Sequence, residues 1–319
     1  MQIGRLLILG IVGLLLFSSG CSSEVQKKQV YLFSYFTDNG QNGLHLAYSF
    51  NGLEWKALNR GQSFLKPEAG RDKLMRDPCV LCDPNGLFRM VWTVSWKEKG
   101  IGYASSKDLV EWSEQKYIPV MEHEPTAKNC WAPEVIYDEA KKQYMIFWAT
   151  TIPGRFPKTE NSGDNNHRIY YVTTKDFEAF SQAQVLLDPG FNSIDATIVQ
   201  AKGRYVMFIK NESKNPPQKN IRVCFADRPE GPWGPASKPV TGKYWAEGPT
   251  AVQIGDWWYV YFDKYRERKY GVVRSNDLTA WEDVSGQLHY PKGLKHGTVF
   301  VVEPAVLNHL LSREKPNQP

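Results

Sequence analysis

Five short stretches of this 319-residue chain begin around a polar or small residue and run into a β-branched or apolar segment: RDPCVL, WAPEVIY, SIDATIV, AEGPTAV and, at residues 296–302, HGTVFVV. Aligning their starts puts Asp77, Ala132, Asp195, Glu247 and His296 in one column. Carboxylates gathered at one place repel and desolvate one another, which shifts their pKa values. Clusters of that kind are tolerated mainly where chemistry uses them. Two carboxyl groups on opposite sides of a bond suit the cleavage of a glycoside, one protonating the departing oxygen while the other activates water or attacks the sugar. Each residue taken singly also admits the reading of a turn cap or a hydrogen-bonded channel residue; taken together, Asp77, Asp195 and Glu247 are candidate catalytic groups.

Elements that could hold such a column recur along the chain. A small polar turn closed by an aromatic appears five times, as SFNGLEW (49–55), SSKDLVEW (105–112), TTKDFEAF (173–180), ADRPEGPW (226–233) and SNDLTAW (275–281). The intervals, about fifty to seventy residues, are those of four-stranded blades. Ahead of each turn lies an apolar strand, and ahead of that a second: 30–36, 88–94, 143–150, 204–210 and 257–264. The column segments are then the innermost strands. Because the chain enters at a second strand and ends on a lone inner one, the pattern predicts an all-β, five-bladed β-propeller with one blade shared between the N- and C-terminal strands. Pairing the two ends removes exposed sheet edges. A β-sandwich, the alternative, accounts neither for five repeats nor for the leftover strand.

The loops between second and third strands open on the same face as the column: 36–43, 95–100, 151–167, 211–220 and 263–269. Long loops on a rigid scaffold carry specificity. Trp96, Phe156 and Tyr265 are candidates for stacking on a sugar ring, and Arg155 and Arg266 for bonding its hydroxyls. Trp131, just before an inner strand, is a further pocket candidate or an interblade wedge. Eleven Trp, 16 Tyr and 15 Phe fit a carbohydrate-active protein as well as an aromatic β core.

RDP (76–78), WAPEVIY (131–137), IDATIV (194–199), AEGP (246–249) and KHGTV (295–299), in this order, resemble the blade signatures of glycoside hydrolase family 43. The resemblance runs from about residue 30 to the end of the strand pattern. It implies a general base at Asp77, a residue that tunes pKa and orients the acid at Asp195, and a general acid at Glu247. It also implies a channel calcium, reached from His296 through water, and no organic cofactor. Two departures stand out: Glu134 where the family more often carries Asp, and Asp-Ala-Thr in the third motif. Glu134 is counted with the substrate-binding set. The implied activity is an exo-acting, inverting hydrolase releasing α-L-arabinofuranose or β-xylose from plant-type polysaccharide fragments. The alternatives are a non-catalytic sugar-binding propeller and a related fructan-type hydrolase, which would retain configuration.

The ends and the charge complete the expectations. Residues 1–20 hold a lone Arg5 and a short apolar run, the pattern of a signal peptide. Cys21 after Ser-Ser-Gly resembles a bacterial lipoprotein box, predicting an exported protein held to a membrane by a lipid on Cys21. Residues 21–29 are then a tether, 30–311 the propeller and 312–319 a polar tail. The formal charge of +5 is scattered, with none of the basic stripe that nucleic-acid binding requires. Cys79 and Cys82 have the spacing of half a zinc ribbon, but no second pair completes a tetrahedral site; Cys79, Cys82, Cys130 and Cys224 are expected mainly as buried free thiols, with a disulfide as the alternative.

Overall fold

The computed structural model describes residues 29–160 and 165–313. The leader, Cys21, residues 22–28 of the tether and residues 314–319 of the tail lie outside the described residues. In chain order the strands are β1 (Val30–Tyr35), β2 (His45–Ser49), β3 (Lys56–Ala57), β4 (Arg76–Cys82), β5 (Phe88–Thr93), β6 (Ile101–Ser106) and β7 (Lys116–Ile118). They continue with β8 (Trp131–Asp138), β9 (Gln143–Thr151), β10 (His167–Thr174), β11 (Gln184–Leu187), β12 (Ser193–Ala201), β13 (Arg204–Asn211) and β14 (Asn220–Ala226). The last are β15 (Glu247–Ile254), β16 (Trp257–Lys264), β17 (Lys269–Ser275), β18 (Glu282–Asp283) and β19 (Thr298–Val302), followed by the helix α1 (Pro304–Ser312).

These strands form five antiparallel sheets, ordered β19-β1-β2-β3, β4-β5-β6-β7, β8-β9-β10-β11, β12-β13-β14 and β15-β16-β17-β18. The fold is therefore the five-bladed propeller, and the first sheet is the blade shared by the two ends. There β1 and β19 pair from Val30↔Val302 to Ser34↔Thr298. Just before this strand the backbones crowd: a Cβ on Gly297 would lie 1.7 Å from the Ser34 carbonyl oxygen, so only glycine fits.

One blade departs from the four-strand expectation. Beyond β14 the chain reads GPWGPASKP, and no fourth strand forms among the described residues. Three prolines remove three N–H donors from any ladder there. The edge is instead held by isolated bonds from Gly234, Ser237 and Val240 to the carbonyls of Phe225, Val223 and Ile221.

The repeated turn has a definite local cause. In the second blade Ser106 Oγ accepts the N–H groups of Asp108 and Leu109, and Asp108 Oδ1 accepts those of Val110 and Glu111. The closing Trp112 returns its indole N–H to the Leu109 carbonyl. Ser49 with Asn51, Thr174 with Asp176, and Ser275 with Asp277 repeat the device. Short oxygen-bearing side chains that cap their own backbone favour such turns over regular structure.

The core lies between neighbouring blades. Phe33 of the shared blade meets Trp55, Tyr261 and Tyr270 edge to face at 5.2–5.9 Å, an arrangement favoured by ring quadrupoles. The helix α1 was not anticipated from strand patterning. It starts on Pro304 and buries Leu307 and Leu310, three residues apart on one face, in the cluster that also holds Phe300 and Val302. Cys79, Cys130 and Cys224 are buried free thiols, whereas Cys82, facing the other way from Cys79, is exposed.

Candidate active site

Each of four inner strands starts with a register shift. Arg76, Trp131, Ile194 and Glu247 pair with Thr93, Ala149, Lys210 and Asp263, and regular pairing resumes three residues later on the inner strand but only two later on its neighbour. The extra residue of such a bulge re-aims a side chain. At the residues following those four the backbone is left-handed: Asp77 at φ 51°, Ala132 at 45°, Asp195 at 53° and Gly248 at 60°. Glu247 thus stands one place earlier than the column drawn from the sequence. Its equivalents are Arg76, Trp131 and Ile194, and the true counterpart of Asp77 and Asp195 is Gly248. That glycine is needed twice, for its φ and because an added Cβ would lie 2.4 Å from His296 Cγ.

Despite the offset, Asp77, Asp195, Glu247 and His296 converge on one cavity of about 510 Å³ at the mouth of the channel. Asp77 receives a hydrogen bond from Thr93 Oγ1 at 2.8 Å and faces His296 Nδ1 at 3.2 Å. Thr93 is itself aimed by the Ala132 N–H, at 2.8 Å. Asp195 accepts the Gly248 N–H at 3.0 Å, so it grips the backbone next to Glu247. Glu247 is the most open of the three, its side chain 32% exposed, and Lys210 Nζ lies 2.8 Å from it. Lys210 is shared with Glu212 at 2.6 Å, and Glu212 also binds Lys219.

These contacts split the carboxyl groups electrostatically. Burial alone would raise the Asp77 pKa, but the hydrogen bond and charge of His296, with Arg76 and Thr93, hold it below the ordinary range. Asp195 is raised, by burial first; the charges of Glu247 and Asp77 add to that against His296 and Lys210. Asp263, the cross-strand neighbour of Glu247, is pushed up to about 7 by burial and by the Glu247 charge. Burial disfavours charge on His296, yet Asp77 outweighs it, and with Asp195 and Glu134 brings the ring up to about 9.

The His296 shift has a measurable sign. A folded-state value above the unfolded 6.5 contributes stability that is fully present below about pH 6.5 and is lost as pH rises through about 9. Wild-type thermal stability is therefore expected to fall over that interval relative to His296→Gln. Parallel melting profiles for the two proteins would remove the ion pair from the account.

The resemblance also implied a channel calcium near His296. Among the described residues no group of three or more His, Cys, Asp or Glu is arranged to hold a metal. No step below depends on a metal.

Trp96, Trp131 and Tyr265 line the cavity. Glu134 does not; it sits deeper in the channel beside Cys79, Thr197, Thr250 and Thr298. Burial pushes its carboxyl up to about 8, and Oε1 has no partner among the described residues. Arg155 is placed away from the cavity, bound to Glu124 at 2.6 Å. Phe156 lies under the Arg168 guanidinium, and Arg266 over Trp245. Lys210, Glu212 and Asp263 line the cavity and were missed. A sequence signal existed: Thr93, Lys210 and Asp263 are polar residues at or next to the ends of mostly apolar second strands, in one register.

Comparison with known proteins follows the same lines. A family-43-related model described as a probable glycosyl hydrolase domain matches residues 26–306. An α-L-arabinofuranosidase of Bifidobacterium longum subsp. longum is 27% identical over 182 residues, which is 50% of this chain and 17% of that protein's length. The structure of a thermostable family-43 glycoside hydrolase aligns with a TM-score of 0.50 at 18% identity, covering 66% of this chain and 72% of that one. An exo-β-1,3-galactanase from Phanerochaete chrysosporium aligns at 0.51 and 13% identity, covering 74% of this chain and 53% of that one. At such identities the two structures speak for the fold alone. The propeller, the ordered inner-strand motifs and a family match spanning nearly all the described residues agree: the chain belongs to the family-43-related glycosyl hydrolase domains.

Proposed function

We propose that this chain is an exo-acting glycoside hydrolase that inverts configuration and releases a pentose, α-L-arabinofuranose or β-xylose, from polysaccharide fragments. The observation that carries the reading is the division of labour within one cavity. Asp77, kept ionised by His296 and Thr93, is the general base that takes a proton from the attacking water. Glu247, the carboxyl most open to an entering substrate, is the general acid that protonates the departing oxygen. Asp195 anchors the Gly248 N–H and so sets where Glu247 stands. Hydrolysis with inversion needs one carboxyl group as acid and a second as base on the opposite face of the sugar. The pentose rests on the resemblance of the motifs and on the named activity of the Bifidobacterium relative.

The test is product release from aryl glycosides and from arabinan, xylan and galactan oligosaccharides, with the anomer followed by NMR during the first turnovers. The expected product is the pentose, with configuration opposite to that of the bond cleaved. Retention would favour the fructan-type reading, with Asp77 as nucleophile. Sugar binding without release from any substrate would favour a non-catalytic propeller.

A further inference from the structure

The loop joining β16 to β17, residues 264–269, reads KYRERK, four cations to one carboxylate. Two of the cations are already occupied: Lys264 pairs with Glu267 at 3.1 Å, and the Arg266 guanidinium lies over the Trp245 ring at 4.4 Å. Arg268 and Lys269 are exposed, and their side chains have no hydrogen bond or ion pair among the described residues. Both line the cavity that holds the carboxylates.

A third cation comes to the same side. Lys295 also lines the cavity, and its segment is joined to the loop where the Tyr270 N–H meets the Tyr290 hydroxyl at 2.8 Å. Its Nζ donates to the Asp38 carbonyl at 2.6 Å, which holds the ammonium and uses one of its three donors but cancels no charge. Asp263 feels that charge, yet burial and the Glu247 charge hold its carboxyl up at about 7, so it offsets Lys295 only in part. The other cations that line the cavity are committed: Lys210 lies against Glu212 and Glu247, and His296 and Arg76 both favour the charged form of Asp77. Cations without a counter-charge at the lip of a low-dielectric cleft focus the field and concentrate anions there. An arginine fork also matches a carboxylate or a sulfate with two parallel bonds.

We propose that Arg268, Lys269 and Lys295 form an anion-recognising edge of the cavity, so that the favoured oligosaccharide carries a negative group, a uronate carboxylate or a sulfate ester, close to the bond that is cleaved. This rests on reading the cavity as hydrolytic. The test titrates Glu247→Gln protein, with and without loop substitutions, with acidic oligosaccharides and their neutral counterparts. The pairs are glucuronate-bearing arabinoxylan fragments and galacturonate-bearing pectic fragments, each with its carboxyl-reduced form, and sulfated galactan fragments before and after desulfation. Three partly exposed charge pairs are worth about tenfold in affinity. The acidic member of at least one pair is therefore expected to bind about tenfold more tightly at low salt, with the advantage shrinking as ionic strength rises. Arg268→Gln with Lys269→Gln is expected to remove most of that advantage, whereas Arg268→Lys with Lys269→Arg, which keeps both charges, should retain it. An advantage confined to the uronates identifies the anion as a carboxylate, and one confined to the galactan pair as a sulfate. Equal affinity within every pair, an advantage that survives the loss of both charges, or binding of no fragment would overturn the anion edge. If the advantage and its charge dependence hold while wild type releases no sugar from any fragment, the hydrolytic reading fails and the anion edge stands. Release by wild type with no acidic advantage is the reverse.

Discussion

Replacing Glu247 by glutamine is expected to lower turnover on an oligosaccharide by about 10²–10⁴-fold, the usual contribution of general acid–base catalysis. Glutamine keeps the shape of the side chain and its reach to Lys210, so folding should be unaffected. What it loses is the proton for the departing oxygen. A sugar alkoxide is a poor leaving group and needs that proton, whereas a nitrophenolate departs without much help. The defect should therefore shrink markedly on a nitrophenyl glycoside, and the ratio of the two losses is the informative quantity. Equal losses on both substrates would show that Glu247 acts otherwise than as the acid. The register of the bulge sharpens this expectation. Because Glu247 precedes the left-handed residue of its strand rather than occupying it, its carboxyl stands beside Lys210 and Asp263 on the second strands. Asp77 and Asp195 hold the bulge positions themselves.

Ending the chain after Lys295 is expected to give insoluble or unfolded protein. Such a cut deletes β19, the inner strand of the shared blade, and with it α1. Val299, Phe300, Val302, Leu307 and Leu310 are all buried, and each contributes about 1.5–3 kcal/mol when fully removed from water. Together they match the whole stability of a typical domain, about 5–15 kcal/mol. Val301, at 41% exposed, adds little. The cut also bares the edge of β1 and removes His296, the partner of Asp77. Ending the chain after Leu311 keeps both buried leucines and should be tolerated. A stop after Val302 separates strand from helix: it keeps the closed ring but leaves the core around Phe88 and Met90 without its cover, and a lowered melting temperature is expected. Soluble, active protein lacking residues 296–319 would refute closure through β19.

The two tests probe features that differ in how openly the sequence displays them. Blade count and closure were readable because their causes are local. Period-two alternation marks a strand wherever it lies, and the Ser-x-Asp turn with its aromatic is built from bonds within seven residues. The extra strand left at the C-terminus then follows from counting. The three carboxylates were also legible, since each sits at the start of an inner strand and inner-strand starts meet at one mouth.

The chain order alone, then, determined five blades, their shared seam, and three of the carboxyl groups that line the cavity. The tertiary structure decided the rest. Glu247 moved by one place because a bulge changes register without changing composition. Lys210 and Asp263 became its neighbours only through pairing across strands, and His296 found Asp77 only when the seam closed. Arg155 turned to Glu124 because the path of a long loop is set by what it packs against. The blade of β12, β13 and β14 lost its outer strand to prolines whose effect depends on which edge they occupy. These outcomes are set by pairing and packing between strands and loops, and no spacing along the chain encodes which groups face one another across a ring.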